Sequence, residues 1–251
     1  MTVEAPFPDR DDEATVVPRP AATVMLLRDR PDGMEVLLLQ RAASTPFVPG
    51  AHVFPGGAVD QGDDDHDDVV DGLADGEADR ILGVAAGGRA FWLAAVRECV
   101  EEAGVVLAID PEGRPVTSDH PVFADLDATR EALEAGTRTL ADLYRQHRLR
   151  VPLDRLAYVS RWITPEPSPR RYDARFFAAA MPAGQHAGAD GWEAVDAGWW
   201  KPTQALADWQ AGKIELIEPT IVSLELLGRF ATTADAMSAI GAGAGAIEGR
   251  G

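Results

Sequence analysis

Cysteine is almost absent: Cys99 is the single one in 251 residues. An internal disulfide is excluded, and no zinc-type spacing of Cys and His occurs. A reducing, cytoplasmic setting is the expectation. Lysine is nearly as scarce, with only Lys201 and Lys213, and 23 basic residues face 41 acidic ones for a net charge of −18. That balance argues against nucleic acid and against an anionic membrane surface as partners. No apolar run approaches the roughly 20 residues of a spanning helix. The acidic, proline-broken start Met1–Arg10 shows no secretory signal. Also missing are internal repeats, a G-x-S-x-G nucleophile elbow and a glycine-rich phosphate loop ending in Gly-Lys-Ser/Thr.

What is present is concentrated in Arg97-Glu98-Cys99-Val100-Glu101-Glu102-Ala103-Gly104-Val105. On a helix, Glu98, Glu101 and Glu102 share one face within about one turn. Clustered like charges destabilise a bare helix, and a divalent cation relieves them; carboxylate oxygens suit Mg²⁺ or Mn²⁺. Val96, Cys99, Val100 and Ala103 form an apolar stripe on the other side, extended by Trp92. Cys99 is thereby read as buried filler and not as a nucleophile. Gly104 stands where helices commonly end in a left-handed residue.

Arg-Glu-apolar-x-Glu-Glu-x-Gly-apolar resembles the second half of the box that defines the Nudix hydrolases. Phe54-Pro55-Gly56-Gly57-Ala58-Val59-Asp60 resembles its glycine-rich first half. Counted from Gly57, the family's first glutamate falls on Asp63, which is still acidic. The family then has seven residues before the arginine, whereas 33 lie between Asp63 and Arg97. The resemblance therefore implies a box split by an acidic insertion, as in a subgroup similar to the peroxisomal coenzyme A diphosphatases of animals. It implies an α/β fold, a Nudix-type α/β/α sandwich around a mixed β-sheet. It also implies Glu98, Glu101 and Glu102 as catalytic metal ligands, with the carbonyl of Gly57 completing the site. Arg97 takes an orienting role through ion pairs. Asp63 is either carried away from Arg97 by the insertion or returned to it.

Along the chain, residues 1–20 read as a loose tail, 21–231 as the Nudix domain with its insertion at about 63–88, and 232–251 as a low-complexity, disordered tail. Ile247-Glu248-Gly249-Arg250 matches a protease site used in recombinant proteins and is set outside the fold. Strands are expected over Ala21–Leu27, Met34–Gln40, Leu156–Ile163, Ala174–Ala180 and Trp192–Trp200. Besides the carboxylate helix, helices are expected over Glu77–Ala86, Asp127–Ala135, Thr139–Arg148, Pro202–Gln210 and Pro219–Phe230. Residues 60–79 carry ten acids. The Asp63, Asp65, Asp67 run fails the calcium-loop pattern, with Asp68 at position six and Ala74 at position twelve, so a solvated loop is expected.

Coenzyme A-cleaving members share a signature before the box. Leu37-Leu38, Arg41, Ala42 and Gly50 stand in register with it, while Pro46 replaces an arginine and Leu39 a threonine. Residues 145–175 hold eight arginines against three acids. Within them Arg170-Arg171-Tyr172-Asp173 resembles a segment of the animal enzymes. Arg41, Arg170 and Arg171 are the expected substrate-binding cations; surface ion pairing in this acidic chain is the plain alternative. His52 has only its position beside the glycine turn to recommend it. Glu166, Glu193 and Glu218 are unranked candidates for a general base. The implied activity is hydrolysis of a small-molecule diphosphate, with coenzyme A or an acyl derivative first. Another nucleoside diphosphate derivative, or a non-catalytic binding module, are the alternatives. A homodimer is left open.

Overall fold

A computed structural model describes residues 16–45, 48–63, 67–191, 193–243 and 247–248. Expectations for the first 15 residues, for Pro46, Asp65 and Trp192, and for residues 249–250 of the protease-site match lie outside them. In chain order the elements are β1 (Arg19–Arg30), β2 (Gly33–Arg41), β3 (His52–Val53), β4 (Gly56–Ala58), β5 (Val70–Asp71), α1 (Asp75–Leu82) and α2 (Gly88–Ala103). There follow α3 (Leu126–Glu134), α4 (Leu140–His147), β6 (Val151–Pro152), β7 (Leu156–Ile163), β8 (Tyr172–Ala180) and β9 (Ala194–Trp200). The chain then runs through α5 (Pro202–Gln210), α6 (Glu218–Leu227), α7 (Thr233–Gly241) and β10 (Ile247–Glu248).

Period-two alternation in β1, β2 and β8 gives the sheet two apolar faces. Val24, Leu26, Leu37, Leu39 and Phe177 meet Trp92, Val96, Cys99 and Val100 of α2 on one side. Met25, Leu27, Val36, Leu38 and Phe176 meet Ala205, Leu224 and Leu227 of α5 and α6 on the other. This is the expected α/β/α sandwich. The sheet is mixed: β1 runs parallel to β8 and antiparallel to β2 and β4. β2 holds β1 only at Leu27–Arg30, while β4 takes its other end, with Ala22 opposite Gly57. β2 meanwhile turns to β9. The sheet forks there, and the fork exposes the glycine strand to α2.

Two expectations are corrected. The acidic insertion is not simply a solvated loop. Val69, Ala78 and Leu82 bury themselves in the α2-side core, and β5 pairs with β6. Its acids meet arginines: Asp68 pairs with Arg145 at 2.6 Å, Asp71 with Arg150 at 3.3 Å, and Asp67 and Asp75 both with Arg89. Asp79 accepts the main-chain N–H of Gly88 at 2.7 Å, so the insertion caps the start of α2. Two of the eight clustered arginines, Arg145 and Arg150, are thus spent holding the insertion. The second correction is the C-terminal segment. Residues 233–241 form α7, whose Ala236 and Ile240 are buried at helical spacing under β7 and β8. Thr232 caps it by accepting from the Asp235 N–H, and the Thr233 N–H reaches Asp29 at 2.8 Å. Alanine and glycine content had masked that spacing. No helix among the described residues is long and apolar enough to cross a membrane.

Candidate active site

Helix α2 is buried over nearly its whole surface. Trp92 anchors it, donating to the carbonyl of Leu156 at 3.1 Å and lying 4.7 Å from Phe177. Its C-terminal half faces β4. There the Gly56 N–H donates to Glu102 Oε2 at 2.8 Å. Gly57 lies so close to Glu98 that a Cβ on it would stand 2.2 Å from Oε1. Only glycine admits that approach.

Arg97 is the hub. Its Nη1 donates to Glu98 at 2.8 Å and to Glu101 at 2.7 Å, and its Nη2 donates to the carbonyl of Ala58 at 2.8 Å. Its Nε and Nη2 also reach the two oxygens of Asp63 at 3.1 and 3.2 Å. Asp63 is 1% exposed and further accepts the N–H of Asp60 at 2.9 Å. The insertion therefore folds out after Asp63 and returns beside it, so the interrupted box is rejoined in space.

Electrostatics follow from burial. Glu98 is pushed up to about 8, first by desolvation and then by the charges of Glu101 and Glu193, with Arg97 offsetting part. Desolvation lifts Glu101 to about 7. Burial and the neighbouring Glu98 hold Glu102 well above the usual carboxylate range, although the Gly56 N–H and Arg41 oppose them. Burial works against the charge of Arg97 too, but Glu98, Asp63 and Glu101 outweigh it and keep the guanidinium protonated. Cys99 is buried and its thiol pushed far up by burial, which makes it inert.

The three glutamates do not converge on one point as they stand. Glu98 and Glu101 both turn to Arg97, and among the described residues no three acidic, His or Cys side chains form a ready metal-binding group. Arg97 projects between them and takes both oxygens. Even so, the residues fit a divalent cation. Four largely buried carboxylates share essentially one guanidinium, three of them with strongly raised proton affinity, and all are hard oxygen donors.

A cavity of about 600 Å³ opens from this cluster. Arg41, Arg97, Glu98, Glu101 and Glu193 line its charged end, and Val53, Phe54, Trp162, Phe176 and Ile217 its apolar wall. Arg170, Tyr172 and Glu218 border it elsewhere. Of the expected substrate cations, Arg41 and Arg170 line the cavity and Arg171 does not. Arg171 is tied to the carbonyls of Thr164 and Val16 and to Glu166, which bind the start of β8 to its neighbours. Among the base candidates, Glu166 is spent on Arg171, whereas the charge of Glu193 reaches both Glu98 and Glu102. Glu193 pairs with Arg41 at 2.6 Å. His52 is not in the lining; its ring meets Trp200 edge-on at 5.8 Å, and burial lowers its pKa. Sequence reasoning missed the apolar wall, because Trp162 of β7, Phe176 of β8 and Ile217 at the start of α6 read singly as core.

An α/β/α sandwich with this helix packed on a glycine strand defines the Nudix class. A solved Nudix hydrolase from Alicyclobacillus acidocaldarius shares the fold, with a TM-score of 0.67 and 29% identity over 90% of this chain and 97% of that one. Residues 75–227 match the family model described as the NUDT19 Nudix domain, and the chain belongs to that family. The match begins inside the insertion, beyond the glycine half of the box. The acyl-coenzyme A diphosphatase NUDT19 of Xenopus laevis is 26% identical over 229 residues, 78% of this chain and 60% of that protein. The protein of the same name from Homo sapiens is 27% identical over 236 residues, 81% of this chain and 63% of its own. The chain thus spans about three fifths of the length of these relatives.

Proposed function

We propose that this chain hydrolyses the diphosphate linkage of coenzyme A or an acyl-coenzyme A, using Mg²⁺ or Mn²⁺. The observation that carries the reading is the junction of a buried, cation-poor carboxylate cluster with an apolar wall in one cavity. Glu98, Glu101 and Glu102 hold the cation, with the Gly57 carbonyl beside them. Once bound, the cation supplies charge neutralisation at the phosphate oxygens and lowers the pKa of a water. Arg97 keeps the cluster assembled, and Arg41 and Arg170 bind phosphate oxygens. Glu193, whose charge reaches both Glu98 and Glu102, takes the proton of the attacking water once substrate phosphate draws Arg41 away from it. Water adds to phosphorus, the bridging P–O bond breaks, and the products are 3′,5′-ADP and a phosphopantetheine. The apolar wall and the names of the relatives support a coenzyme A substrate; the charged end alone would suit any nucleoside diphosphate derivative. The buried, inert Cys99 is compatible with a cytoplasmic location.

The test is a panel of coenzyme A, an acyl-coenzyme A, ADP-ribose, NADH and a dinucleoside polyphosphate with Mg²⁺ or Mn²⁺, products read by mass. Coenzyme A species are expected to turn over fastest. Glu102→Gln is expected to lower turnover at least ~100-fold, the scale of losing one strong transition-state stabiliser. Fast cleavage of another member with coenzyme A untouched would overturn the substrate, and near-wild-type turnover of the variant would overturn the site.

A further inference from the structure

The last turn of α2 carries Glu101 and Glu102, and the last four carbonyls of any helix lack partners within it. Here each is accounted for. The Gly104 N–H donates to Val100, and the Gly188 N–H to Ala103 at 3.0 Å. The carbonyls of Glu101 and Glu102 are taken by one side chain, Arg130 of α3. Its Nε donates to Glu101 O at 2.8 Å and its Nη2 to Glu102 O at 3.1 Å. The same Nη2 reaches the Gly188 carbonyl at 3.3 Å. Gly104 ends the helix with a positive φ of 65°, and Arg130 lies against it, its Nη1 3.4 Å from where a Cβ would stand.

We propose that Arg130 is a positioning residue for the metal carboxylates, fixing the main chain from which Glu101 and Glu102 project. Its charge also offsets the negative end of the helix that the glutamates share. The inference rests on the reading of those glutamates as metal ligands. It is separable from a purely architectural role, because α3 also lends Leu133 and Glu134 to the cavity wall. Loss of that wall would weaken substrate binding and leave the metal untouched.

The experiment measures Mn²⁺ affinity from the free-ion electron paramagnetic resonance signal, with kcat and KM for coenzyme A alongside. Wild type is compared with Arg130→Ala, Arg130→Lys and Glu102→Gln. Arg130→Ala is expected to weaken Mn²⁺ binding and lower kcat by about tenfold each, the scale of losing charged hydrogen bonds at a helix end, with KM within twofold. Arg130→Lys keeps the charge but not the two-pronged contact and is expected to fall between. Wild-type Mn²⁺ affinity in folded Arg130 variants, or a rise in KM alone, overturns the proposal. If Arg130→Ala does not fold, Arg130→Lys decides on the same criterion. Undiminished Mn²⁺ binding by Glu102→Gln would instead refute the underlying metal-site reading, whatever Arg130 does.

Discussion

Asp63→Asn separates a rejoined box from a coincidental contact. The native carboxylate is buried and gives both oxygens to Arg97, at 3.1 and 3.2 Å, and one to the Asp60 N–H. An asparagine of the same shape turns one acceptor into an NH₂ aimed at a guanidinium. Removing one partner of a buried ion pair costs about 3–5 kcal/mol. Arg97 retains Glu98 and Glu101, which sets the expectation at the low end, about 3 kcal/mol. At about 2–4 °C per kcal/mol for a domain of this size, Tm falls by about 6–12 °C. Asp60→Asn is the control: that carboxylate stands 3.9 Å from Arg97 and is 62% exposed, and such pairs contribute about 0–1 kcal/mol. Melting curves at pH 7 in EDTA, followed by circular dichroism, read both. A melt for Asp63→Asn within 2 °C of wild type, or matching Asp60→Asn, would refute the reasoning that the insertion closes the box through Asp63.

Gly57→Ala forces a methyl into Glu98 and is expected to cut kcat at least ~10-fold at a stability cost of about 1–3 kcal/mol; unchanged steady-state rates would contradict the close approach. Glu98 and Glu101 titrate in the fold near 8 and 7, above their ordinary 4.5. The folded state therefore keeps protons that the unfolded chain gives up, and the stability that these two groups contribute is fully present below about pH 4.5 and lost as pH rises through 7 and 8. Tm in EDTA is expected to fall between pH 5 and 8.5 and to recover with Mn²⁺, checked by calorimetry; a rising Tm would reverse the sign and defeat the assignment. Arg170→Ala is expected to raise KM several-fold without moving Tm. Arg171→Ala is expected to leave KM alone and lower stability by about 1–2 kcal/mol through its lost contacts to Thr164, Glu166 and Val16. The opposite split would restore Arg171 to the site.

The carboxylate helix was legible because all its information is local: spacing, apolar stripe and terminal glycine sit in nine consecutive residues. The strands β1, β2 and β8 were legible as short apolar runs, which suit a sheet covered on both faces. What escaped was decided at long range. Whether Asp63 returned to Arg97 depended on how Ala78 and Leu82 pack against α2. The arginine cluster looked like one patch, but pairing sent Arg145 and Arg150 to the insertion, Arg161 to Asp173 and Arg171 to Glu166, leaving Arg170 at the cavity. Arg130 gave no signal at all, since its partners are main-chain atoms 28 and 29 positions earlier. In α7, composition hid a buried pair four residues apart.

The pinned ends of the insertion have a consequence for chain entropy. Asp63 is fixed by Arg97, and Gly88 by Asp79 of the insertion itself, so the segment between them closes a loop that is held at both ends. Closing a flexible loop costs only about 0.6 kcal/mol more for each doubling of length. The cost of altering this insertion lies instead in its seating, since Val69, Ala78 and Leu82 are core residues and Asp68 and Asp71 are paired with Arg145 and Arg150, so a shortened or replaced segment loses those contacts. The interrupted box of this chain behaves as two anchor points joined by a packed tether, and residues next to one another in the site need not be close in the gene.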